Sequence, residues 1–235
     1  MTETPSLPQV REDLRNYLKF LQRSGFLYMA PQGQSDGPPG PSPHARAQEL
    51  EALRILASRC TKCRLSEGRT YVVFGEGNPD ADILFVGEAP GADEDRLARP
   101  FVGRAGKLLD SMMTQAGLRR EDVFIANVFK CRPPENRDPL PDEIELCEPY
   151  LVQQIELIQP RLIVALGRHA AHTLLRVQTP ITQMRGRMYR YHDVPLMPTL
   201  HPAAVLRNMT QLPMVLEDLR RAVASLAQAP ERPQP

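Results

Sequence analysis

The chain has 235 residues and a formal net charge of +1 at pH 7, with 42% hydrophobic and 24% charged residues. These values fit a globular protein with one sizeable core and exclude a low-complexity or strongly basic chain. No apolar run approaches the ~18–20 residues of a membrane span, and the first eight residues do not resemble a secretion signal. We therefore expect a cytoplasmic monomer that does not contact membranes.

Composition divides the chain into three parts. Residues 14–27 have the pattern of a short helix, and residues 31–43 are so rich in Pro, Gly and polar residues that they predict a flexible linker. We expect an N-terminal helix and linker at residues 1–45, one catalytic domain at 46–228, and a flexible tail at 229–235.

Four short apolar runs predict buried strands, at residues 83–86, 123–129, 162–166 and 196–200. Helical patterns lie between them, at residues 105–113, 142–158 and 168–175. This alternation favours parallel pairing with right-handed crossovers. We predict an α/β fold, a three-layer α/β/α sandwich with a central four-stranded parallel sheet. In such folds ligands bind beyond the C-terminal ends of the strands.

Because the net charge is small, any affinity for DNA must come from local basic clusters. The candidates are Lys62/Arg64, Arg96/Arg99/Arg104, Lys130/Arg132 and Arg185/Arg187/Arg190. Taken singly, each cluster is more often a solvated face than a phosphate site. Whether a cluster can bind DNA phosphates depends on its position relative to a pocket.

The four cysteines form a pattern of their own. Cys60 and Cys63 are a C-x2-C pair, Cys131 follows the second predicted strand, and Cys147 falls on the next helix. In a cytosolic chain this indicates a metal or redox site rather than disulfides. Structural zinc sites usually combine two tight pairs, whereas a [4Fe–4S] cluster needs four thiolates without one fixed spacing. The spacing of the cysteines alone favours a zinc site and a [4Fe–4S] cluster about equally.

The first predicted strand ends in the turn Gly-Glu-Ala-Pro-Gly at residues 87–91, which lets the backbone approach a ligand closely. That fragment alone fits a plain strand–helix connection equally well. Phe101 follows, between arginines and glycines and ahead of a helix. A lone Phe is usually core, but in a site that takes in a flipped base a ring offers a stacking surface.

Two further residues stand at or near strand ends. Asn127 interrupts an apolar strand, and a buried amide is costly unless it is paired. It is either structural or a side chain that offers a donor and an acceptor to the edge of a nucleobase. His201 is either a capping or core histidine or a ligand contact, with Pro202 stiffening its turn and Arg207 within reach of a phosphate.

Together these segments resemble the iron–sulfur uracil-DNA glycosylases, family 4 of the uracil-DNA glycosylase superfamily. The resemblance runs from Cys60 to about Arg207 and is carried by five ordered motifs. They are Gly-Glu-Ala-Pro-Gly at 87–91, Arg-Pro-Phe-Val-Gly-Arg-Ala-Gly at 99–106, Asn-Val-Phe-Lys-Cys-Arg-Pro-Pro-Glu-Asn-Arg-Asp-Pro at 127–139, Pro-Ile-Thr-Gln-Met-Arg-Gly at 180–186, and His-Pro at 201–202.

The resemblance implies a monofunctional enzyme of base excision repair. It would flip uracil out of single- or double-stranded DNA and hydrolyse the N-glycosidic bond, leaving an abasic site and free uracil. It also implies a [4Fe–4S] cluster on Cys60, Cys63, Cys131 and Cys147. We expect contacts to DNA from Arg207 and Arg132, and from Val205 and Leu206 in the place of a leucine wedge.

The resemblance also assigns roles inside the pocket. Phe101 is expected to stack on uracil, Asn127 to bind the base edge, and His201 to donate to uracil O2 as the base leaves. The turn at Glu88 and Ala89 is expected to present backbone N–H groups to the base.

Two positions depart from the family 1 pattern. Ala89 stands where family 1 enzymes carry an aspartate that positions the attacking water, so we expect Glu88, Glu94 or the backbone to hold the water. Gly91 stands where they carry a tyrosine that excludes thymine, so methyl exclusion must come from elsewhere.

Two other functions stay open. Gly91 leaves room for a glycosylase with a broader range of deaminated bases. A non-catalytic iron–sulfur module that binds nucleic acid is the other alternative, although Glu88, Asn127 and His201 together argue against a pure binder.

Overall fold

The computed structural model describes residues 42–228. The chain divides into two units, Met1–Pro39 and Gly40–Pro235. The helix predicted at 14–27, most of the predicted linker and the predicted tail lie outside the described residues. The first described helix begins at Pro43, where the Ser42 hydroxyl accepts from the Ala45 N–H at 3.3 Å. That start lies inside the segment predicted as linker.

The helices are α1 Pro43–Ser58, α2 Leu65–Gly68, α3 Ala92–Leu97, α4 Arg104–Gln115, α5 Pro141–Ile158, α6 Arg168–Leu175, α7 Ile181–Met184, α8 Pro202–Arg207 and α9 Leu212–Gln228. The strands are β1 Glu76–Gly77, β2 Ile83–Gly87, β3 Phe124–Asn127, β4 Leu162–Leu166, β5 Tyr189–Tyr191 and β6 Val194–Thr199. None of the described helices is both long and apolar enough to cross a membrane.

One mixed sheet contains all six strands in the order β1-β3-β2-β4-β6-β5. Its four central strands are parallel and correspond to the four predicted strands. The short strands β1 and β5 add antiparallel edges. The α/β class is confirmed, and the sheet has two strands more than predicted. Strands of two and three residues are too short to show an alternating pattern in the sequence.

Alternate residues of the central strands face two separate cores. Leu84 and Val86 pack with helices α1, α5 and α6, whereas Ile83 and Phe85 pack with α4 and α9. All four side chains are at most 2% exposed. Helices therefore cover both faces of the sheet, and the three-layer arrangement is as predicted. Burial on both faces is also why these strands appear as continuous apolar runs.

The start of α5 anchors the loop that precedes it. The Glu143 carboxylate is fully buried, accepts the Leu140 N–H at 2.9 Å, and takes two hydrogen bonds from the Arg137 guanidinium at 2.9 and 2.7 Å. Since this loop follows β3, the capping contact fixes one wall of the site described next.

Candidate active site

A cavity of about 290 Å³ opens beyond the C-terminal ends of the parallel strands, where ligands bind in α/β sheets. Its volume is near the small end of the roughly 300–1,000 Å³ range of ligand pockets, which suits a small ring. All six residues predicted for the pocket line it, namely Glu88, Ala89, Glu94, Phe101, Asn127 and His201.

Asn127 closes the inner end of the cavity at the last position of β3. Its side chain is 2% exposed, and its Oδ1 atom is buried without a hydrogen-bond partner among the described residues. A Cβ on Gly87 would lie 2.3 Å from this oxygen, so glycine at the end of β2 makes room for the amide. An unpaired buried carbonyl is costly, and a ligand donor would satisfy it.

Phe101 forms a second wall of the cavity. Its backbone has a φ of 50°, a left-handed conformation that costs free energy in a bulky residue. Arg120 stabilises this turn by donating to the carbonyls of Pro100 and Phe101 at 2.7 and 3.3 Å. The Phe101 ring lies 5.7 Å from the His201 ring, centroid to centroid. The strained turn thus places an aromatic face in the cavity.

His201 precedes α8 and caps it. Its Nδ1 accepts the Ala203 N–H at 3.1 Å, so the neutral ring carries its proton on Nε2. Burial lowers the pKa of His201 to about 4, and the charge of Arg207 adds to the effect. The ring is therefore neutral at physiological pH and offers an Nε2–H donor.

Glu94 is held by the protein backbone. One carboxylate oxygen accepts the N–H groups of Val102 and Gly103, both at 2.9 Å. The other oxygen is the atom that a Cβ on Gly91 would meet at 2.8 Å. Glu94 therefore fastens the segment next to Phe101 and occupies the space beside Gly91.

Glu88 is the other carboxylate of the cavity, and its side chain accepts no hydrogen bond within the part of the chain that the structure describes. Burial and, to a lesser extent, the charge of Asp138 raise the pKa of Glu88 to about 7 against the opposing charge of Arg168. A carboxyl group that titrates near neutral pH is a candidate catalytic base. Of the two glutamates predicted to hold water, Glu94 has one oxygen engaged by backbone N–H groups, whereas neither oxygen of Glu88 accepts a hydrogen bond among the described residues.

Three residues near Glu88 did not emerge from the sequence. Asp138 lines the same cavity, and Arg168 and His169 line an adjoining cavity of about 590 Å³ that shares Glu88 and His201 with it. Arg168 and His169 directly follow β4. The rule that ligands bind at strand ends points to Arg168 and His169, because they directly follow the third predicted strand.

The residues predicted to contact DNA fall in different surroundings. Arg207 is exposed and lines the adjoining cavity. Leu206 is 39% exposed, as a wedge residue requires. Arg132 is partly buried and donates to Asn136 Oδ1 at 2.9 Å, at the rim of the base cavity. Val205 is different: its side chain is 0% exposed and packs in the core, so the predicted DNA contact of Val205 does not fit the structure.

Some members of the basic clusters are not available to phosphates. Lys130 is 2% exposed, and its ammonium donates to the Asn127 carbonyl at 2.7 Å and to Gln154 at 2.5 Å. Arg185 binds the buried Asp218 at 2.7 Å. Lys130 instead supports the strand end that carries Asn127.

The four cysteines come together around one small cavity between α1, α5 and the loop after β3. Arg69 donates to Cys131 Sγ at 3.2 Å and to the Cys60 carbonyl at 2.7 Å. The Lys130 N–H donates to Cys147 Sγ at 3.3 Å. Burial raises the pKa of Cys131 and raises that of Cys147 to about 12. These donors suit anionic sulfur, since hydrogen bonds to a thiolate stabilise its charge.

The four thiols offer the ligands that both zinc and iron–sulfur sites use. Within the described residues, the one trio of His, Cys, Asp or Glu whose ligand atoms lie within 4.8 Å of one another is Glu88, Asp138 and His169. No three of the cysteine sulfurs are that close. A tetrahedral zinc ion would bring its sulfurs to about 3.8 Å, whereas a cluster of several atoms separates its ligands more widely. Four cysteine thiols around one small cavity are a donor set that fits a [4Fe–4S] cluster.

Comparison with known proteins identifies the family. Residues 74–227 match the model of the uracil DNA glycosylase superfamily, and the chain belongs to that superfamily. A type-4 uracil-DNA glycosylase of Sulfurisphaera tokodaii is 46% identical over 78% of this chain and 87% of that protein. One from Thermotoga maritima is 45% identical over 76% of this chain and 95% of that protein. One from Archaeoglobus fulgidus is 51% identical over 63% and 78%.

Within the superfamily the chain is a member of the type-4 group, as its similarity to these relatives shows. The resemblance inferred from the five motifs is confirmed.

Proposed function

We propose that this protein is a uracil-DNA glycosylase of base excision repair. It extrudes a uracil nucleotide from DNA, hydrolyses the N-glycosidic bond, and leaves an abasic site and free uracil. The observation that carries the proposal is the buried, unpaired Oδ1 of Asn127 in a cavity of single-ring size. The N3–H of uracil is a donor that this oxygen can accept, and the amide N–H can reach O4 at the same edge.

His201 stabilises the leaving base. With Nδ1 engaged by the Ala203 N–H, the remaining Nε2–H points its dipole at the charge that develops on uracil O2. A neutral donor fixed in a partly buried site acts as an oxyanion-type stabiliser and needs no reorganisation. Phe101 stacks on the flipped base and orients it.

Glu88 acts on the sugar side of the reaction. The developing oxocarbenium character at the sugar is favoured by a carboxylate, and the same carboxylate can hold the attacking water. The free carboxyl of Glu88, with its pKa near neutral pH, supports this assignment over Glu94, whose oxygen already binds two backbone N–H groups.

We also propose that Cys60, Cys63, Cys131 and Cys147 hold a [4Fe–4S] cluster. The four cysteines share one small cavity, and N–H donors from Arg69 and Lys130 reach two of their sulfurs, as metal-bound thiolates require. Similarity to type-4 uracil-DNA glycosylases supports the cluster over zinc. The cluster supplies structural cross-linking of the loop after β3 to α5 and to the segment before β1. No step of base excision needs it.

Uracil-containing DNA, single- or double-stranded, is the proposed substrate. Arg207, Leu206 and Arg132 surround the two adjoining cavities and would contact the strand on either side of the flipped nucleotide. Leu206 would fill the gap that the uracil leaves. We further propose that the enzyme acts as a cytoplasmic monomer, with its catalytic domain near residues 46–228, an N-terminal extension at 1–45 and a tail at 229–235.

The test is incubation of the purified protein with an oligonucleotide that contains one uracil, followed by alkali. Strand cleavage that requires alkali is expected, because an abasic site is labile and no lyase step is proposed. A strand that stays intact after alkali refutes the function. Matched oligonucleotides with hypoxanthine, xanthine, or thymine opposite guanine test the broader range. Binding without excision would favour the non-catalytic module.

A further inference from the structure

His169 stands between two carboxylates at the rim of the cavity. Its Nδ1 lies 3.6 Å from Glu88 Oε1, and its Nε2 lies 3.5 Å from Asp138 Oδ1. The three side chains come from the segments after β4, β2 and β3. The sheet thus brings three titratable groups, widely separated in sequence, to one point beside the base cavity.

The protonation of His169 follows from its other neighbour. An Arg168 nitrogen lies 2.9 Å from His169 Nε2, and a guanidinium can only donate. Nε2 therefore accepts, and the neutral ring carries its proton on Nδ1, the nitrogen that faces Glu88. Burial lowers the pKa of His169; Asp138 opposes this effect and Arg168 adds to it. The ring is thus neutral at physiological pH.

We propose that His169 is a positioning residue for Glu88, donating its Nδ1–H to the carboxylate in the substrate complex and holding that carboxylate ionised toward the sugar. This rests on the proposed function, in which Glu88 acts on the sugar side. The 3.6 Å separation is longer than a hydrogen bond. Catalytic contacts of this kind commonly shorten when substrate binds.

Such a donor is needed because Glu88 is otherwise poorly stabilised as an anion. Burial and the charge of Asp138 both raise its pKa, and DNA that closes the site would exclude further water. A hydrogen bond to the ionised form counters both effects. The titratable and charged groups that face Glu88 across the two cavities are Glu94, Arg137, Asp138, Arg168, His169, His201 and Arg207.

The experiment compares two replacements of the ring. His169→Phe keeps an aromatic ring of similar size and removes the donor, whereas His169→Asn keeps an N–H near the position of Nδ1. Single-turnover excision of uracil from a single-stranded oligonucleotide, with enzyme in excess, is measured from about pH 5.5 to 8.5. Iron content and melting temperature are measured for each variant.

We expect the rate of the wild-type protein to rise with pH as Glu88 ionises. His169→Phe should move the midpoint upward by about one pH unit, a tenfold change in the ionised fraction at low pH. His169→Asn keeps a donor, so its midpoint should stay close to that of the wild-type protein. In a Glu88→Gln background, His169→Phe should leave the profile unchanged. A packing role for His169 would lower rate or stability without moving the midpoint.

An unchanged midpoint in a folded His169→Phe protein overturns the proposal and leaves the glycosylase function standing. Failure of the wild-type protein to release uracil at any pH refutes the proposed function instead. If His169→Phe does not fold, His169→Met tests the same contact with a flexible side chain that has no N–H donor. This variant keeps Arg168, whose charge itself lowers the pKa of Glu88. Its midpoint should also rise, and an unchanged midpoint would again overturn the proposal.

Discussion

The base cavity and the cysteine cavity are both lined by the segment after β3. They differ in whether their polar atoms have hydrogen-bond partners. In the base cavity, Asn127 Oδ1 is unpaired and the Glu88 carboxyl accepts no hydrogen bond among the described residues. In the cysteine cavity, the sulfurs of Cys131 and Cys147 each accept an N–H. The base cavity leaves hydrogen-bonding groups unpaired, as a site for a transient ligand requires. The cysteine cavity already supplies donors to its sulfurs, as a site for a permanently bound group requires.

Lys130 connects the two cavities. Its backbone N–H donates to Cys147 Sγ, and its ammonium donates to the carbonyl of Asn127. The contrast predicts that changes in the base cavity alter rate while leaving iron and stability intact. Changes at the cysteines should alter iron and stability first.

The largest effect is expected at His201. His201→Ala removes the Nε2–H donor and should slow single-turnover excision about 10²–10³-fold, the usual loss for one oxyanion-type donor. His201→Asn is the matched control, because asparagine can still cap α8 as Nδ1 of His201 does. Both variants should lose the rate and keep their iron, and Ala alone should lose stability. An Asn variant with the wild-type rate would contradict the assigned role.

The next largest effect is expected at Glu88, and it should differ from the effect of the same replacement at Glu94. Glu88→Gln should slow excision about 10²-fold and abolish the rise in rate through about pH 7. The sign follows from the raised pKa: below about 7 the carboxyl is protonated and inactive, and above it the carboxylate acts. His201 has a pKa of about 4, so its titration does not change the excision rate near pH 7. Glu94→Gln should keep the pH profile. Identical profiles for both variants would contradict the distinction.

Replacing a cysteine of the proposed cluster should change iron content and stability more than the excision chemistry. Cys147→Ser should lower iron content sharply and lower the melting temperature, because binding of a metal group contributes folding free energy. Any loss of excision should follow the loss of folded protein. Iron determination and thermal unfolding check this, and a colourless wild-type protein that contains zinc would refute the cluster.

The smallest effect is expected at Arg69, which donates to Cys131 Sγ and the Cys60 carbonyl. Arg69→Gln should speed the loss of iron to a chelator about 10-fold or more, the range found for residues that support metal ligands. Lys107→Gln, on an exposed position of α4, is the control and should lose iron at the wild-type rate. Equal rates for all three proteins would remove Arg69 from this role.

The parts that the sequence predicted share a physical cause. Strands β2 and β4 are buried on both faces, so their apolar runs are continuous. Asn127 and His201 stand out because polar residues at strand ends are costly unless they serve a purpose.

What could not be predicted depends on packing between distant segments. The sequence places Lys130 in a basic surface cluster, because its partner Gln154 lies 24 residues further along the chain. The burial of Val205 depends on the orientation of α8 against α4 and α9. The surroundings of His169 depend on Glu88 and Asp138, which follow two other strands.

The role of Asn127 in binding the base edge is tested most directly by changing the substrate instead of the protein. An oligonucleotide with N3-methyluracil lacks the donor that Asn127 Oδ1 is proposed to accept, and its methyl group would meet the side-chain oxygen. Free base released in a single turnover is measured by mass spectrometry beside a matched uracil oligonucleotide. We predict uracil release and a rate at least about 10²-fold lower for the methylated base. Equal rates for the two substrates would contradict it.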